Sequence, residues 1–77
     1  MNVTIEKQED GTYIAYNTDG EKTTVIGTGE TVGAAKSDFM ESMSAVRKVY
    51  ERNGMEVPVE LNGDVRFKFD LASLRLV

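Results

Sequence analysis

Residues 31 to 54 read TVGAAKSDFMESMSAVRKVYERNG, and this stretch decides the fold. Val32, Ala35, Phe39, Met43, Val46 and Tyr50 recur at spacings of three and four, which places them on one face of a helix. Lys36, Glu41, Arg47, Lys48, Glu51 and Arg52 fill the other sides. Thr31 is a good N-cap, and Gly54 supplies a left-handed stop. The spacing predicts a helix from about Val32 to Asn53. At ~1.5 Å per residue it is about 33 Å long, which is long for a small domain. One end is therefore expected to project or to meet a second copy.

Upstream, the period changes from helical to two. Val3-Thr4-Ile5-Glu6 alternates apolar and polar, as a half-buried strand does. Asp10-Gly11 is a hairpin turn signal, and Thr12 to Tyr16 is rich in β-formers. These segments predict an antiparallel hairpin. Asn17 to Lys22 reads as a polar loop, and Thr23 to Thr28 as a third strand. Ile14 and Tyr16 lie on one side of their strand, Tyr13 and Ala15 on the other. Whichever pair avoids the helix leaves apolar surface to be covered by something else.

Downstream, Pro58 cannot donate to a sheet ladder, so the Val57–Val59 region is expected to be an edge strand or a loop. Asn62-Gly63 marks a turn. Val65 to Leu71 then alternates cleanly, with Val65, Phe67, Phe69 and Leu71 expected to face the core. Arg66, Lys68 and Asp70 are expected to face water or a partner. The predicted class is α+β: a mainly antiparallel sheet of three to four strands, in the order β-β-β-α-β, with one long helix packed on one face.

Composition restricts the chemistry. The chain has 77 residues, no histidine, no cysteine and no tryptophan. The commonest general base, the commonest zinc ligands and the strongest nucleophile are thus missing. With a net charge of −4, the chain is poorly suited to displacing counterions from nucleic-acid phosphates. A basic protein partner suits it better. No apolar run approaches the ~20 residues of a membrane span, and no signal-peptide pattern opens the chain. A cytoplasmic location is expected.

Three motifs invite sharper readings. Gly27-Thr28-Gly29-Glu30-Thr31-Val32-Gly33 joins a strand to a helix, like a phosphate-binding loop. Its third glycine comes one residue late, it lacks the Gly-Lys-Ser/Thr opening, and its context is not βαβ. A plain tight connection is the better reading. Asp10, Asp19, Asp64 and Asp70 are better read as solvated surface than as a metal site. Tyr13 and Tyr16 fit sheet packing better than a base-stacking platform. No catalytic, cofactor-binding or metal-ligating residue is expected.

The run Asp10-Gly11-Thr12-Tyr13-Ile14-Ala15-Tyr16, followed by Gly27-Thr28-Gly29-Glu30-Thr31-Val32 with Ala34, Ala35 and Phe39, resembles the N-terminal domain of HicB-type antitoxins. That family joins a Gly-x-Tyr hairpin to a Gly-[Asp/Asn/Glu]-Thr turn and an Ala-containing helix start. The resemblance implies a partial, degraded RNase H-like β-β-β-α-β fold over residues 1–72, with 73–77 as an apolar C-terminal tail. It implies a non-catalytic protein that neutralises a small basic HicA-like toxin ribonuclease and self-associates as a homodimer or higher homo-oligomer. The tail and last strand suggest Phe67, Phe69, Leu71, Leu74 and Leu76 as oligomer or partner interface, although ordinary core suits the two phenylalanines equally well.

The sequence departs from the family pattern in three places. Asn17 to Lys22 lacks the usual proline-glycine element. Gly33 stands where relatives often carry glutamate, so the capping box is incomplete. The 77 residues include no DNA-binding region of the kind many relatives carry, and direct nucleic-acid binding by this chain is not expected. Two further readings stay open: a structural or oligomerisation adaptor acting through an edge strand, and a metal-dependent nuclease relic.

Overall fold

The computed structural model describes residues 1–18, 24–61 and 63–70. It has a four-stranded mixed sheet and one long helix, in the β-β-β-α-β order that periodicity predicts. The strands are β1 (Asn2–Lys7), β2 (Tyr13–Asn17), β3 (Ile26–Gly29) and β4 (Arg66–Phe69). Helix α1 (Val32–Arg52) connects β3 to β4.

The β1–β2 hairpin closes where Asp10-Gly11 predicts. Gly11 takes a left-handed φ of 89°, which only glycine adopts without strain. The Gln8 N–H donates to the Thr12 carbonyl at 2.7 Å. Asp10 accepts from both the Thr12 N–H (2.9 Å) and the Thr12 hydroxyl (2.6 Å). These bonds favour the ionised carboxylate and hold the Asp10 pKa below its ordinary value.

The sheet order is β3-β2-β1-β4. β1 pairs antiparallel with β2, and β2 with β3, whereas β4 pairs parallel with β1. The parallel pair follows from the helix. A helical crossover returns the chain to the end of the sheet from which β3 set out, so β4 must run the same way as β3. The two edge strands are therefore parallel to each other, on opposite sides of the hairpin.

Helix α1 starts and stops as expected. Thr31 is extended, and its hydroxyl accepts from the Ala34 N–H at 3.0 Å. No acidic residue occupies the first turn, so the capping box is indeed half-built. At the other end Asn53 is the C-cap and Gly54 has a φ of 68°. The Met55 N–H donates to the Tyr50 carbonyl (2.9 Å) and the Gly54 N–H to Glu51 (3.1 Å). That pair of bonds is a Schellman motif.

Core residues come from both layers: Val3 and Ile5 of β1, Ala15 of β2, Val25, then Ala35, Phe39 and Met43 of α1, and Leu61. Val32, Val46, Tyr50, Phe67 and Phe69 pack around them, half-buried. The helical stripe read from the sequence is thus the face that packs on the sheet. Its long C-terminal half does not stand alone. The chain after Gly54 turns back beside it, and Arg47 Nη1 donates to the Leu61 carbonyl at 3.2 Å.

Three local readings shift. The third strand spans Ile26–Gly29 rather than 23–28, because Gly29 still pairs with Tyr13. Where Pro58 allowed an edge strand or loop, a short 3-10 helix forms at Val59–Leu61, with the Leu61 N–H donating to the Pro58 carbonyl at 3.0 Å. That turn buries Leu61 and leaves Val59 82% exposed. β4 ends at Phe69, and Leu71 lies outside the described residues.

Candidate interaction surface

Register assigns every strand residue to a face, because successive side chains alternate. Val3, Ile5, Ala15 and Asn17 are buried on the helix side, and Phe67 and Phe69 lie opposite Val3 and Ile5. Gly27 and Gly29 also face the helix: a Cβ on either would run into the backbone of α1. The two glycines therefore let α1 lie directly on β3. They are packing glycines and do not form a phosphate cradle.

No helix among the described residues lies over the opposite face. It carries two rows of side chains that cross all four strands. One row is Lys68, Thr4, Tyr16 and Ile26. The other is Glu6, Ile14 and Thr28, extended by Asp70, whose N–H donates to the Ile5 carbonyl at 2.8 Å and so continues the β4 register beside Glu6. Asn2 and Arg66 lie in a third row. Half of this face, over β2 and β3, is apolar or aromatic. The half over β1 and β4 carries charges of both signs. Ile26 is 49% exposed, unusual for a β-branched side chain in a sheet of this size.

Tyr16 is the hub of the open face. It loses hydration there and hydrogen bonds the Glu6 carboxylate, and the negative charges of Glu6 and Asp70 stand nearby. Loss of hydration is the largest effect, followed by the Glu6 charge. Together they push the phenol pKa above its ordinary value. The hydroxyl stays protonated throughout the neutral range.

The expected interface residues divide. Phe67 meets Phe39 edge-to-face at 5.8 Å and lies under the Lys36 ammonium, 5.3 Å from the ring centroid. Phe69 meets Tyr13 at 5.9 Å, also edge-on. Both rings are half-buried on the helix side, where they close the core margin. Their backbone groups alternate away from β1, towards an edge that no strand among the described residues pairs. Leu71, Leu74 and Leu76 lie outside the described residues. The sequence reading identified Ile14 and Tyr16 as potential open-face residues but missed Ile26. Once Gly27 is recognised as the residue under the helix, Ile26 must point away from it.

Among the described residues, no three of the metal-ligating side chains lie together. Every buried side-chain nitrogen or oxygen among them has a hydrogen-bond partner. Nor is any described helix long and apolar enough to cross a membrane. Comparison with protein-family models, curated proteins and solved structures finds no match.

Proposed function

We propose that this chain is a HicB-like antitoxin, or a binding domain derived from one, with a degraded RNase H-like fold. It acts without catalysis, by binding a small basic toxin ribonuclease and by self-associating in the cytoplasm. The observation that carries this reading is the placement of the family-like motifs. The Gly11–Tyr16 run builds the β2 side of the hairpin, and Gly27-Thr28-Gly29-Glu30-Thr31 takes the chain from β3 straight into the N-cap of α1. The net charge of −4 supports a basic partner. A sheet face that no described helix covers and a β4 edge that no described strand pairs supply surface for protein contact.

The test is co-purification. The tagged chain is expressed with the gene product encoded beside it, and growth is followed with and without the tagged chain. A small basic protein recovered at fixed stoichiometry, with relief of its toxicity, is the expected result. Failure of the neighbouring product either to bind or to be toxic would remove the antitoxin role.

A further inference from the structure

We infer that the Asn53-Gly54 bond is a deamidation site, and that the last turn of α1 gates it. The reaction needs only water as its co-reactant. It goes beyond the binding role proposed above and does not depend on it.

The dipeptide sets the chemistry. The backbone nitrogen of Gly54, once it has lost its proton, attacks the side-chain amide carbon of Asn53. The bond from that carbon to the amide nitrogen breaks, ammonia leaves with the proton that Gly54 gave up, and a succinimide ring remains. Water then opens the ring at either carbonyl, which gives aspartate or isoaspartate. A glycine in the following position favours the attack, because it has no Cβ to hinder the approach. Asn2 and Asn17 are followed by Val3 and Thr18, whose branched side chains do hinder it. The Asn17 side chain is also held on the Val25 N–H. Asn62-Gly63 is the other Asn-Gly pair in the chain, and Asn62 lies outside the described residues.

As folded, the Asn53-Gly54 bond is held out of reach of this reaction. The ring requires the Gly54 nitrogen and the Asn53 Cβ to eclipse each other about the Cα–C bond. Asn53 has a ψ of 6°, so the Gly54 nitrogen eclipses the backbone nitrogen of Asn53 instead. Cβ then lies roughly a third of a turn away, as substituents on a tetrahedral carbon do. Turning ψ by that amount breaks the bonds that the Gly54 N–H gives to Glu51 (3.1 Å) and the Met55 N–H to Tyr50 (2.9 Å). The first of these bonds also keeps the proton on the nitrogen that must lose it. The reaction therefore proceeds from an opened helix end.

That end has little to hold it shut. Glu51 to Glu56 are all exposed, and the packed side chains on either side, Tyr50 and Val57, are only half-buried. Opening the turn between them costs the capping bonds and almost no apolar burial, which places it at the low end of local stabilities. The product closes less well. A new carboxylate stands at the C-terminus of α1, where the free carbonyls already carry partial negative charge, with Glu51 and Glu56 close by in sequence. Isoaspartate also adds a backbone atom, so the spacing of the Schellman bonds is lost. The device runs one way, and each conversion favours a more open end.

Incubation of the full chain at mildly alkaline pH, folded and in urea, tests this. Mass spectrometry with fragmentation between Asn53 and Asn62 assigns each conversion of amide to acid, and initial rates are compared. In urea both Asn-Gly pairs should react at rates within about threefold of each other, because the dipeptide alone then sets the rate. Asn53 should convert in the folded chain as well, at least about tenfold more slowly than in urea. Met55→Pro removes one capping donor and leaves Asn53-Gly54 intact, so it should speed the folded-state reaction at Asn53 at least about threefold. Gly33→Ala lies at the far end of α1 and should leave that rate unchanged. Asn53→Asp stands for the aspartate product and should lower the urea midpoint. Circular dichroism confirms that each variant is folded. An Asn53 that does not react in urea overturns the site. Equal rates at Asn53 in the folded chain and in urea overturn the gate, as does a folded Met55→Pro variant with an unchanged rate. A rate that falls in step with any stability gained in Gly33→Ala assigns the reaction to global unfolding and overturns the local gate. An Asn53→Asp variant with the parent midpoint overturns the one-way consequence.

Discussion

A Cβ on Gly27 would stand against the backbone nitrogen of Phe39 and 2.7 Å from the carbonyl oxygen of Ala35. The atoms in the way belong to helix backbone, which cannot swing aside as a side chain can. Gly27→Ala should therefore lift α1 off β3 and loosen the Phe39 anchor. Overpacking of this kind costs typically ~1–3 kcal/mol, and here the upper end or more is expected because backbone must move. Urea denaturation followed by circular dichroism measures it. Gly33→Ala is the control: its nearest foreign atom is the Thr31 hydroxyl at 3.9 Å. In the first turn of α1 that substitution should stabilise by up to ~1 kcal/mol. Equal effects from the two would refute the close-packing role of Gly27.

Asn17 supplies the second prediction. It is only 8% exposed, on the helix side of β2 beside Val3. Its side-chain oxygen accepts from the buried Val25 N–H at 2.9 Å, which ties the end of β2 to the segment entering β3. Asn17→Ala leaves that amide without its acceptor in a water-poor site. The expected loss is ~1–3 kcal/mol, with amide exchange at Val25 accelerated more than at Phe39. A loss confined to a few tenths would show that water or another group replaces the bond at little cost.

How far the sequence could be read follows from these contacts. The helix was legible almost to the residue, because Thr31, Gly54 and the Val32–Tyr50 stripe are local signals that agree with one another. The hairpin was legible for the same reason. The parallel β1–β4 pair was not, since strand direction depends on a crossover between residues far apart in sequence. The end of β3 was set one residue early because Gly29 looks like a loop residue until the helix above it is known. Leu61 was missed because the period-two run of Val57, Val59 and Leu61 is broken by the 3-10 turn, which buries Leu61 fully and leaves Val59 exposed. On the candidate surface, Ile14 and Tyr16 could be assigned to one side of β2. Which side the helix leaves open was settled only by Ala15 in the core.

The last prediction concerns Tyr16 and alkaline pH. Its phenol is held above the ordinary value of 10.0, first by loss of hydration and then by the negative charge of Glu6, with further contributions from the Glu6 hydrogen bond and Asp70. The folded chain thus keeps this proton at a pH where the unfolded chain has begun to release it. Between those two values the unfolded state binds fewer protons, so stability falls as pH rises. The contribution is fully present below pH 10 and is lost through the window above it. Ultraviolet difference titration should show a tyrosine component that ionises above the ordinary value, and Tyr16→Phe should remove that component. Glu6→Gln removes the largest charge effect and the carboxylate acceptor, but leaves the loss of hydration. It should move the late component part of the way back and make the alkaline decline in stability shallower. If Glu6→Gln left the titration unchanged, the Tyr16–Glu6 bond would not exist in solution, and the open face would lose the contact that orders its centre.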